Sequence, residues 1–125
     1  MQPAFFSNQL KITGRPILCF GDSNTWGYEP GSARQIKKAD RWPTQLGRLI
    51  GKAVVQDGVC GRTATVEDTV GGRPTAEPAL TRVLEAQGPF DTVFLMLGTN
   101  DLKAHLDQSA DEIVSAMLIH ASKAK

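Results

Sequence analysis

Along this chain, short apolar runs closed by glycine-rich polar turns alternate with stretches in which apolar residues recur every three or four positions. The first run, Pro16-Ile17-Leu18-Cys19-Phe20, stops at Gly21-Asp22-Ser23-Asn24 and reads as a buried strand ending in a tight turn. The residues before Arg15 read as a loose lead-in. Tyr28 to Asp40 is polar and holds Pro30, Gly31 and Ser32, so it reads as a surface loop, with Arg34, Lys37 and Lys38 a solvated face. A helix is predicted from Pro43 to about Lys52, where Leu46, Leu49 and Ile50 share one face and proline suits the first turn. Trp42 is expected to pack against its start.

Ala53-Val54-Val55-Gln56-Asp57 reads as a second strand ended by Gly58. Gly58, Gly61, Gly71, Gly72 and Pro74 mark the next stretch as loop, with one helical turn expected around Thr65 to Val70. A helix from about Ala76 to Gln87 carries Leu80, Val83 and Leu84 on one face, and Gly88-Pro89 stops it. Asp91 to Leu97 is apolar at both alternating sets of positions, as expected of a central parallel strand covered on both sides. It ends at Gly98-Thr99-Asn100-Asp101. Ser109 and Glu112 have the spacing of a capping box for a last helix carrying Ile113, Met117 and Ile119. Alternating strands and helices favour an α/β fold, a doubly wound parallel sheet with helices on both faces. Function in such a sheet sits at the carboxyl ends of the strands.

A length of 125 residues fits one domain, residues 1–125, and 41% hydrophobic with 22% charged residues is ordinary for a globular chain. A net charge of +1 sets up no field to gather nucleic acid or anionic lipid. No apolar run approaches the roughly 20 residues of a membrane span, and Met1 to Gly14 lacks the basic start and apolar stretch of a secretory signal. A cytoplasmic protein is expected. Its two cysteines are expected to be free thiols, Cys19 as a small core residue and Cys60 at the border of a pocket.

All three strands end in glycine-bearing polar turns, and together these would line one pocket. Ser23, at the end of the first strand, is placed to expose a nucleophilic hydroxyl. The N–H groups of Ser23 and Gly61 and the side-chain amide of Asn100 could converge on a developing oxyanion. The same residue types also serve as plain turn formers. Neither G-x-G-x-x-G nor G-x-x-x-x-G-K-[ST] occurs, and G-x-S-x-G is absent as well.

Taken together, the three turns resemble the SGNH hydrolases, also called the GDSL esterase and lipase family. Phe20-Gly21-Asp22-Ser23-Asn24-Thr25-Trp26-Gly27-Tyr28 is similar to that family's first block, Cys60-Gly61-Arg62-Thr63 to its second, and Leu97-Gly98-Thr99-Asn100-Asp101 to its third. Arg41-Trp42-Pro43 opening a helix is similar to the arylesterase-like bacterial branch, and order and spacing agree from residue 16 to about 114. The resemblance implies a flavodoxin-like fold, Ser23 as nucleophile, and Gly61 and Asn100 as oxyanion donors. Asn24 stands where the family has the leucine of its GDSL pattern. A small-molecule ester substrate is implied, with no cofactor, metal, nucleic acid or membrane. Homo-oligomer formation stays open.

The family's fourth block, an Asp-x-x-His, is missing: His105 and His120 are preceded three residues earlier by Leu102 and Met117. His105 reads as a solvent-exposed histidine at a helix start with no orienting carboxylate, and His120 as a partly buried packing residue. The resemblance therefore implies a C-terminally truncated member holding the first three strands, the third of which would become an exposed apolar edge. Three functions fit these residues: a serine esterase, an incomplete front part of a longer hydrolase, and a non-catalytic acyl- or carbohydrate-binding module.

Overall fold

The structure, a computed structural model, describes residues 14–125. The expected lead-in therefore lies, apart from Gly14, outside the described residues. Three five-residue strands form one parallel sheet: β1 (Ile17–Gly21), β2 (Val54–Gly58) and β3 (Thr92–Met96), in the order β2-β1-β3. Ile17 lies between Val54 and Thr92, and Gly21 between Gly58 and Met96, so the three strands end level. That common end brings together the three polar turns.

β1 is the centre of the molecule, with all five residues buried. Strand alternation sends Leu18 and Phe20 to one face. There they meet Ala76 and the helix α3 (Ala79–Gln87) through Leu80 and Val83, with Val55, Val93 and Leu95 packed around them. The opposite face carries Ile17 and Cys19 and is covered by α2 (Trp42–Ile50), whose Gly47 lies against Val54. Trp42 reaches β3, its ring standing edge-on to Phe94 with centroids 6.4 Å apart. Preceding these, α1 (Ser23–Trp26) is a single turn of helix directly after β1.

The last helix, α4 (Ala110–Lys123), starts with both halves of the capping box: Glu112 N–H donates to Ser109 Oγ and Ser109 N–H to Glu112 Oε1. It is tied back by an ion pair of Lys123 with Glu77 and by His120, which is buried with Nε2 2.8 Å from the carbonyl of Ala64. No helix among the described residues is long and apolar enough to cross a membrane.

Three expectations need correction. β3 is not central: it pairs with β1 and, among the described residues, with nothing beyond. Phe94 and Met96 are 36% and 43% exposed while Val93 and Leu95 are half-buried. Its apolar character on both faces fits a strand covered on both sides, and these elements cover one side more fully. It is the exposed edge that the family strand order implies. Thr65 to Val70 forms bends and turns instead of a helical turn: its first N–H, on Thr65, donates to the Asp101 carboxylate, Asp68 N–H donates to the Arg73 carbonyl, and the flanking N–H groups of Ala64 and Gly71 go to the side chains of Asp101 and Asp68. Finally, α3 begins at Ala79, three residues later than predicted, after Pro78 at its N-cap.

The apolar burial on the α3 face sets a measurable contrast. Leu80→Ala, at a fully buried site, is expected to lower the free energy of unfolding by about 2–5 kcal/mol in urea titrations. Leu118→Ala, on the 66% exposed side of α4, should change it by less than about 0.5 kcal/mol.

Candidate active site

Close backbone approach positions Ser23. Asp22 caps α1, its Oδ1 accepting from Asn24 N–H at 3.0 Å, and the Ser23 carbonyl accepts from Gly27 and Tyr28. The turn rests on the end of β2 at Gly58, where a Cβ would stand 2.3 Å from the backbone nitrogen of Trp26. Only glycine leaves room for that contact. Val59 N–H completes the join by donating to the Gly21 carbonyl at 3.2 Å. Ser23 itself is half-buried at the end of the sheet.

Arg62 ties the strand ends together from inside. Its side chain is 3% exposed, and its Nη1 donates to the Gly21 carbonyl at 3.2 Å, the Asp57 carbonyl at 3.0 Å and Asp57 Oδ1 at 3.0 Å. Its guanidinium lies 4.1 Å from the centre of the Phe20 ring, a cation–π contact. The third turn joins through Asn100, whose Nδ2 donates to the Arg62 carbonyl at 3.2 Å. A side-chain amide carries two N–H bonds, so one is left for another acceptor. Gly61, next to Arg62, has φ +81, and a Cβ there would meet the Arg73 side chain at 2.5 Å. The structure thus ties the turns of Ser23, Gly61 and Asn100 to one another.

The neighbouring carboxylates set the loop. Asp101 is fully buried and accepts from Ala64 N–H, Thr65 N–H and Thr65 Oγ1 at 2.7–3.0 Å. Asp22 is equally buried, and that burial pushes its carboxyl above the ordinary value against the opposing Asn24 hydrogen bond, with Asp101 raising it further and Arg62 lowering it. Arg62 and Asp101 stand beside Gly61 and Asn100 in the motifs, but the sequence carries no signal of their burial or partners.

The histidines sit elsewhere. His105 lies in a short 3-10 turn, Ala104–Leu106, partly exposed as expected. The expectation that no carboxylate orients it is corrected: its Nε2 is 2.8 Å from Oδ1 of the buried Asp68, a residue 37 positions earlier. Lys103 Nζ approaches Asp68 Oδ2 at 3.4 Å. The Gly71 N–H, His105 and Lys103 together hold the Asp68 carboxyl down to about 2. Neither histidine is hydrogen-bonded to Ser23. Cys19 is buried in β1, which raises its thiol to about 11, and Cys60 is half-buried; both are free. Among the described residues no three His, Cys, Asp or Glu side chains group as a metal site.

Two measurements check this scaffold. Asp101→Asn keeps the shape but turns an amide N–H toward backbone donors, and is expected to cost about 1–3 kcal/mol in urea unfolding. Asp68 has its carboxyl lowered on folding from 3.8 to about 2, so its contribution is present above pH about 3.8 and is lost as pH falls toward 2. Unfolding midpoints measured from pH 5 to pH 2 should therefore fall more steeply for the wild-type chain than for Asp68→Asn.

Known proteins match both the sequence and the fold. The profile of the GDSL-like Lipase/Acylhydrolase family matches residues 19–125. The native aryl esterase of M. smegmatis superposes with a TM-score of 0.82 at 31% identity, over 88% of this chain and 54% of that one. Est24, a carbohydrate acetylesterase from Sinorhizobium meliloti, gives 0.81 at 31% identity, over 88% and 54%. A protein from Agrobacterium tumefaciens gives 0.79 at 38% identity, over 87% and 54%. Comparison with curated proteins finds no match. The chain spans about half the length of these solved structures. With its three motif-bearing turns at one end of a parallel sheet and its profile match over residues 19–125, the chain belongs to the GDSL-like lipase/acylhydrolase family.

Proposed function

We propose that this chain carries the nucleophile and oxyanion half of a carboxylic-ester hydrolase. Ser23 Oγ attacks the ester carbonyl, its proton passes to solvent water, since neither histidine reaches it, and the tetrahedral oxyanion is held by the N–H groups of Ser23 and Gly61 and by Asn100 Nδ2. Collapse expels the alcohol and leaves an acyl group on Ser23, which water releases as the acid. The observation that carries this reading is the bonding between the turns: Asn100 to the Arg62 carbonyl beside Gly61, and Arg62 to the Gly21 carbonyl two residues before Ser23. Two of the similar solved structures, an aryl esterase and a carbohydrate acetylesterase, support a carboxylic ester as the substrate class. Free Cys19 and Cys60 support a reducing, cytoplasmic setting.

A non-catalytic acyl- or carbohydrate-binding module is the second reading. It rests on the chain's two histidines, each engaged away from Ser23: His105 with Asp68 and His120 with the Ala64 carbonyl. Without an activating histidine, catalysis of roughly a thousandfold over water can persist from the oxyanion site alone.

Hydrolysis of 4-nitrophenyl acetate, measured with enzyme in excess, separates the two readings. On the esterase reading Ser23→Ala loses all acylation at residue 23 and hydrolyses the ester well below the wild-type rate, keeping only what the oxyanion site alone supplies, and Asn100→Ala loses a factor of roughly 100 to 1000 in acylation. Equal rates for wild type and Ser23→Ala contradict it. Ligand-dependent thermal stabilisation without Ser23-dependent turnover supports the binding module.

A further inference from the structure

Beside Gly61 stands a cation that the ester chemistry leaves without a role. A Cβ on Gly61 would meet Arg73 Cγ at 2.5 Å and Cδ at 2.6 Å, so the aliphatic stem of Arg73 lies across that glycine. The guanidinium carbon follows Cδ by two bonds of about 1.4 Å, which puts it within about 8 Å of the Gly61 nitrogen whichever way the side chain turns. Arg73 is exposed, and among the described residues it has no ion-pair partner. Arg62, the neighbouring guanidinium, is buried and engaged with Asp57 and two carbonyls.

The backbone that carries Arg73 is fixed on both sides. Asp68 N–H donates to the Arg73 carbonyl at 3.0 Å and Arg73 N–H to the Asp68 carbonyl at 2.9 Å, an antiparallel bridge that closes a hairpin. The buried Asp68 carboxylate accepts from Gly71 N–H inside that hairpin and is fastened to His105 and Lys103, on the segment that follows Asn100. Just beyond Arg73, the Pro74 carbonyl accepts from Thr63 N–H and Thr75 Oγ1 donates to the Thr63 carbonyl, both at 3.1 Å. The hairpin is therefore tied to the turn of Gly61 on one side and to the turn of Asn100 on the other.

We propose that Arg73 selects esters that carry a free carboxylate a few bonds from the ester group. This rests on the ester-hydrolase reading of Ser23 and names its substrate class. With the ester carbonyl at Gly61 and Asn100, the substrate carboxylate meets the unpaired guanidinium, whose N–H fork matches two carboxylate oxygens. Coulomb attraction across about 8 Å, taken between bulk water and a protein surface, amounts to roughly twofold to thirtyfold in a rate constant. The covalent step is the one already described: the bond from Ser23 Oγ to the carbonyl carbon forms, the bond to the leaving oxygen breaks, and the serine proton goes to water.

Rate constants for acylation of Ser23, read by peptide mass spectrometry of the 125-residue chain at about 10 mM salt, test this with two pairs of esters. One pair is 4-acetoxybenzoate and its methyl ester, with the charge on the leaving side; the other is 4-nitrophenyl hydrogen adipate and its methyl ester, with the charge on the acyl side. Taking the anionic-to-neutral ratio cancels differences in fold and in the oxyanion site. In at least one pair Arg73→Met is expected to lower that ratio by roughly twofold to thirtyfold, and Arg73→Lys, which restores the charge, to keep it. About 1 M salt should bring the wild-type ratio toward that of Arg73→Met. Methionine keeps an aliphatic stem against Gly61, so melting of Arg73→Met should match wild type. The proposal is overturned if Ser23 is acylated while Arg73→Met leaves the ratio unchanged in both pairs, or if Arg73→Lys loses it as fully as Arg73→Met. No acylation of Ser23 by any of the four esters overturns the ester-hydrolase reading itself, and this inference with it.

Discussion

A single buried guanidinium holds the working end of this molecule together. Arg62 reaches back from the loop after β2 to the carbonyls that end β1 and β2, lies over the Phe20 ring, and pairs with Asp57. Burying a charge is unfavourable unless hydrogen bonds and a counter-charge replace water, and here all of Nη1's partners lie at the carboxyl ends of two strands. Its own carbonyl then accepts from Asn100, so the residue that fixes the first two turns also fixes the third. Asp101, next to Asn100, accepts three further donors from residues 64 and 65 and closes the same circuit from the other side. Gly58 is essential to this packing, because any side chain there would drive α1 off the end of the sheet.

The sheet beneath is narrow. With β1 in the middle, one face is filled by α3 and its neighbours, while the opposite face is covered at β1 and thins toward β3, leaving Phe94 and Met96 partly in solvent. The part of each solved relative that this chain matches is 54% of that relative's length. An exposed apolar edge strand is a template for further strand pairing, and among the described residues β3 presents such an edge.

Much of the fold was legible in the sequence. Strand runs ending in glycine identified all three strands to within a residue or so, and the Ser109–Glu112 pair marked the last helix because a capping box is a local device. What escaped was long-range. Asp68 binds His105 across 37 residues and Arg62 reaches Gly21 across 41, and no periodicity or short motif encodes a pairing at that separation. Thr65 to Val70 departs from the expected helical turn for the same reason: the N–H groups of Ala64 and Thr65, where that turn would start, go to the distant Asp101 carboxylate. The double-sided apolar pattern of β3 spoke for a covered strand, and pattern alone does not reveal whether the cover is at hand.

On the proposed function, the Arg62 circuit assembles Ser23, Gly61 and Asn100 into one acyl-transfer site. Peptide mass spectrometry that maps where acetyl groups attach after incubation with 4-nitrophenyl acetate, in wild type and in the shorter, uncharged Arg62→Met, tests this. Acetylation should concentrate on Ser23 in wild type and be lost from Ser23 in Arg62→Met. Acetyl groups scattered over lysines with Ser23 unmodified in wild type, or equal Ser23 acetylation in both chains, would contradict it.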